Sequence, residues 1–87
     1  MKDYSGPQID PVELSRRRAD GEGFFVITQL RRTPGGHFVV EQWHYSDACP
    51  GWPEKIWQSE VIANRAAAEF IAAERHANAL LHYRDLP

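Results

Sequence analysis

The side chains able to do chemistry are few and widely spaced. Cys49 and the histidines His37, His44, His76 and His82 are the whole inventory of soft nucleophiles and nitrogen ligands. Zinc ligands on a helix normally stand three or four residues apart, because that spacing points both at one ion. His76 and His82 are six apart, His44 and Cys49 five apart, and no Cys-x-x-Cys or His-Glu-x-x-His occurs. The spacing predicts surface histidines, with no metal and no cofactor. A cysteine nucleophile needs a base that a third group orients. Cys49 is followed by Pro50 and Gly51, with only His44 near, and nothing supplies that third group. Phosphate-cradling glycine patterns are absent, so Gly21 and Gly23 read as turn residues. Glu74 falls by helical angle in the middle of an apolar stripe, where a carboxylate would need a partner or a raised pKa. An enzyme built on Glu74 or Cys49 is the weakest reading, and the chain is expected to be non-enzymatic.

Basic and aromatic residues offer more. Arg16, Arg17 and Arg18, with Arg31 and Arg32, are the basic concentrations. With stacking on Trp43 or Trp57 they would make a nucleic-acid-binding domain, since base–aromatic stacking contributes about 1–3 kcal/mol per base. The formal charge of −2 argues the other way, because phosphate contacts usually come with a basic excess. Trp43, Tyr45, Trp52 and Trp57 are the better lead: they cluster around two strand-like segments and the stretch joining them. Strand residues alternate between faces, and both faces of the first two strands carry apolar side chains. One long helix covers one face only. The surplus predicts an aromatic surface for a protein partner or for a second copy of the chain.

The elements that must position these residues follow from pattern. Residues 1–8 hold Ser, Gly and Pro and read as a flexible tail. Asp10, Pro11 and Glu13 match a helix N-cap, first position and capping box, with Ile9 and Leu14 as a hydrophobic staple. They predict a short helix over 11–18, ended by Asp20-Gly21-Glu22-Gly23. Phe24 to Arg32 and His37 to Tyr45 are rich in β-branched and aromatic residues and flank Thr33-Pro34-Gly35-Gly36, a type II turn pattern with Gly36 able to take a positive φ. Ser46 to Glu54 holds Pro50 and Pro53 and reads as a loop. Lys55 to Ile62 is the third strand. Asn64 caps a final alanine-rich helix that runs to about Tyr83. Its stripe of Ala67, Phe70, Ala77 and Leu81, bordered by Ile71 and Leu80, is predicted to lie on the sheet. The Ala68, Ala72 and Ala79 flank would then be free for a helix of another copy.

The predicted fold is therefore α+β: short N-terminal helix, three-stranded antiparallel meander and long C-terminal helix on one face (αβββα), a single domain over 9–84 with a tail over 85–87. The 87 residues fit one domain, with hydrophobic and charged shares ordinary for a globular protein. A lone cysteine suits a reducing compartment, and no apolar run approaches the ~20 residues of a membrane span. Both point to a cytoplasmic protein. The order of elements resembles the layout of double-stranded-RNA-binding domains, and meander-plus-helix that of the small DNA-binding domains of phage-type integrases. The likeness is one of layout alone. The lysine cluster of the former is replaced here by Asn64-Arg65-Ala66-Ala67-Ala68, and the basic sheet of the latter by Glu41, Gln42, Gln58 and Glu60. The expected function is a small non-enzymatic protein-binding or self-associating module of a bacterial or phage accessory or inhibitor type.

Overall fold

The computed structural model describes residues 12–84, with side chains through residue 81. Four strands, β1 (Val12–Asp20), β2 (Phe24–Arg32), β3 (Phe38–Ser46) and β4 (Cys49–Gln58), precede one helix, α1 (Arg65–Arg84). The strands form an antiparallel meander in the order β1-β2-β3-β4, and α1 packs on it. The fold is α+β with ββββα order. The αβββα layout, and with it the likeness to double-stranded-RNA-binding domains, is not retained, because no N-terminal helix precedes the strands among the described residues; the meander followed by a helix is present, with four strands in place of three.

Residues predicted as the N-terminal helix form β1 instead. The reason lies in β2, which is buried continuously from Val26 to Leu30. A strand buried on both faces sits inside a sheet, and its backbone groups need a neighbour on each side. β3 serves one side, with Ile27 opposite Trp43. β1 serves the other, with Ala19 opposite Val26 and Arg17 opposite Thr28. The local capping pattern loses to that requirement. Asp10 and Pro11, the expected tail over 1–8 and the tail over 85–87 lie outside the described residues.

The Ser46–Glu54 segment is not a loop either. Asp47-Ala48 makes the turn and β4 starts at Cys49, opposite Ser46. Pro50 and Pro53 fit because β4 is an edge strand, where a missing N–H breaks no ladder. Its pairing is irregular: His44 lies opposite Glu54, and the next pair is Ser46 with Cys49. The chain then leaves β4, and Ile62 returns to exchange both backbone hydrogen bonds with Phe38, at 2.7 and 2.8 Å. At the β2–β3 turn the Gly36 N–H bonds the Thr33 carbonyl at 2.9 Å. The positive φ of 84° falls on Gly36. A type II turn puts it one position earlier. At Gly21 an added Cβ would lie 2.2 Å from the Phe24 ring, so any larger residue there has to displace that ring.

The helix begins where Asn64 predicts, its Oδ1 accepting the Ala67 N–H at 2.9 Å. It sits on the sheet by the opposite face from the one expected. Ala68, Ala72 and Ala79 are buried, while Phe70, Leu81, Ala67 and Ala77 are exposed. The sheet supplies the bulk through Leu30, Val40, Phe38 and Trp57. A surface already filled by large side chains accepts a helix only through small ones. One polar clasp fastens the two layers. Arg75 donates to Gln42 Oε1 through Nε and a terminal nitrogen, at 3.1 and 2.8 Å. Gln42 Nε2 in turn donates to the Arg75 carbonyl at 3.2 Å and to Thr28 Oγ1 at 3.1 Å. Gln42 is 3% exposed, so these bonds satisfy an amide that would otherwise be costly to bury.

Candidate functional site

The four aromatic candidates do not share one surface. Trp43 and Tyr45 alternate onto the sheet face away from α1, and both are half-buried. Tyr45 stacks on Phe25, with centroids 4.8 Å apart and planes 4° from parallel. The Arg18 guanidinium lies 3.8 Å over the Phe25 ring, and the Lys55 ammonium 5.6 Å from the Trp43 ring centre. Trp57 belongs to the other face, where Arg75 lies 4.0 Å over its ring. Trp52, between Pro50 and Pro53, is 84% exposed.

The arginines are divided in the same way. Arg16 and Arg18 pair with Glu13 and Asp20 at 3.0 and 2.7 Å. Arg31 reaches Glu41 at 3.5 Å. Glu41 also accepts the Trp43 indole N–H at 3.0 Å and stands 3.7 Å from Lys55. Glu13 completes the band by accepting from the Gln29 amide. Three of the five candidate cations are thus held by acids on the face opposite α1. Arg17 and Arg32 alternate onto the other face and are exposed.

The candidate chemical groups remain apart. Cys49 is exposed at the start of β4. His37 is exposed in the turn, and His44 stacks on Phe24 with centroids 5.0 Å apart. His76 lies on the β1 side of α1, where burial and then the charge of Arg17 lower its pKa from the ordinary imidazole value. Its Nδ1 is buried with no hydrogen-bond partner among the described residues. The side chain of His82 is outside them. Among the described residues no three His, Cys, Asp or Glu side chains gather to hold a metal. No described helix is long and apolar enough to cross a membrane.

Glu74 is exposed. The stripe it interrupts faces outward: Ala67, Phe70, Glu74, Ala77 and Leu81 recur at alternating spacings of three and four. They lie about opposite the buried Ala68, Ala72 and Ala79. Phe70 is 67% exposed and Leu81 57%. Val61, just before the helix, is also exposed. Beside this stripe, between α1 and the stretch from Trp57 to Ile62, runs a groove of about 670 Å³. Trp57, Val61, Ile62 and Ile71 supply its apolar wall, and Glu60, Glu74 and Arg75 its charged groups. Nothing in the residue pattern points to this groove, because it exists only through the return of Ile62 to Phe38. A weak signal was present in Val61 and Ile62, two apolar residues between a strand and a helix cap.

No known protein family, curated protein or solved structure matches the chain. Its function must be argued from these surfaces.

Proposed function

We propose that the protein is a non-enzymatic protein-binding module that pairs with a second copy of itself through the outward face of α1. The observation that carries this reading is Phe70. A phenylalanine in the second turn of a helix, two-thirds open to water, gains about 1–2 kcal/mol when a partner covers it. Ala67, Ala77 and Leu81 extend the same seam along the helix, at the spacing that lets two helices interlock side chains. A face of this kind, with Glu74 as its one charge, is complemented best by another that is equally apolar.

Light scattering over a concentration series tests the proposal. The expected result is a dimer that Phe70→Asp converts to a monomer with unchanged helix content by circular dichroism. A wild-type protein that stays monomeric throughout removes it.

Nucleic-acid binding is the second reading. The cations lying over Phe25 and Trp43 favour it, since such a face could stack bases. It is the weaker one, because Arg16, Arg18 and Arg31 already have carboxylate partners.

A further inference from the structure

The groove beside α1 has features that the outward seam does not share. Its volume of about 670 Å³ falls within the roughly 300–1,000 Å³ of ligand sites, and its wall joins the apolar Trp57, Val61, Ile62 and Ile71 to polar and charged side chains. Its charges are unequally placed. The Arg75 guanidinium is committed to Gln42 and to the face of Trp57. Glu60 and Glu74 stand on opposite lips, one on the stretch entering the helix and one on the helix itself. Among the described residues neither carboxylate has an ion pair or a side-chain hydrogen bond. The backbone adds a third feature. The N–H groups of Ser59 and Ile62 bond back to β3, at 2.8 and 2.7 Å. Those of Glu60 and Val61, on the rim between them, make no backbone hydrogen bond among the described residues.

We propose that this groove binds a short extended segment of a partner protein in which a lysine or arginine stands next to an aliphatic or aromatic residue. The apolar side chain fills the space between Val61, Ile62 and Ile71. The cation lies between Glu60 and Glu74, which have no cation of their own. The Glu60–Val61 backbone offers donors to the carbonyls of the segment, as an exposed strand edge does for a peptide laid along it. Phe70 is not part of the groove lining, but Glu74 borders both the groove and the outward seam, so the Glu60→Gln, Glu74→Gln comparison is made on the Phe70→Asp protein as well as on wild type.

The test uses isotope-labelled full-length protein and two probes, a short peptide of alternating lysine and leucine and its counterpart of alternating glutamate and leucine. Indole N–H signals of Trp57, Trp43 and Trp52 are followed by nuclear magnetic resonance. The basic peptide is expected to shift the Trp57 signal saturably and to leave the Trp52 signal in place. Glu60→Gln combined with Glu74→Gln is expected to weaken binding roughly tenfold with unchanged amide dispersion, as the loss of two exposed charge contacts implies. Repeating the titration on Phe70→Asp separates the two proposals: the groove still binds when pairing is lost. The inference is overturned if the acidic peptide shifts Trp57 equally, if the double variant binds as tightly as wild type, or if the Trp57 signal does not move.

Discussion

His76 shows how one ring can make the fold sensitive to acid. Burial, and then the positive charge of Arg17, favour its neutral form, so the folded chain binds that proton less readily than the unfolded chain does. Protons therefore pull toward the unfolded state. The contribution of the neutral ring is complete above about pH 6.5, the ordinary imidazole value. It is lost as pH falls from there through the lower folded value. The urea midpoint is expected to drop as pH goes from about 7 to about 5, and His76→Gln should flatten that drop. Parallel curves for the two proteins would show that the ring contributes nothing to it. Glu41 is the other residue with wide reach. It is 7% exposed and gathers Trp43, Arg31 and Lys55, so the face away from α1 has a buried acid at its centre with its partners in place.

At the scale of elements, the contact of α1 with the sheet is decided by size. Ala72 is buried against the sheet, whereas Ala77 on the same helix is exposed. Ala72→Leu should destabilise by about 1–3 kcal/mol through overpacking, while Ala77→Leu, introduced together with Phe70→Asp so that pairing does not contribute, should leave urea unfolding nearly unchanged from Phe70→Asp alone. Equal effects would mean that the helix does not rest on its alanine face. This is also where the sequence misleads. Hydrophobic weight puts Phe70 and Leu81 inside, but a helix meeting Leu30, Val40 and Trp57 needs its smallest residues there. The strand at Phe24–Arg32 coincides with β2, and the Asn64 cap is legible because it depends only on neighbours along the chain. β1 was hidden because its evidence lay in β2, whose two apolar faces demanded a strand on each side. The surplus of aromatic residues was legible too. Their division among two faces and the Trp52 stretch was not, since it depends on the register of β3 and β4.

At the scale of the molecule, one sheet and one helix make a thin slab of 46 × 30 × 16 Å. The radius of gyration is 14.3 Å, against the ~12 Å of a compact domain of this length. So flat a body leaves much of its surface at the boundary and has a small core. Pairing through α1 would thicken it, and mass action then ties stability to concentration. A tenfold rise in protein concentration is expected to raise Tm by roughly 3–5 °C, read by calorimetry, with no such rise for Phe70→Asp. A Tm independent of concentration would mean that each copy stands alone. The prolines and slipped register of β4 have a bearing on how far association can go. They leave that border of the sheet a poor template, and the bulge between Glu13 and Ser15, with the charges of Arg16 and Arg18, does the same for β1. Fibrils that grow by adding strands find a poor starting place at either margin, so the pairing proposed for the helix would close at two copies instead of propagating through the sheet.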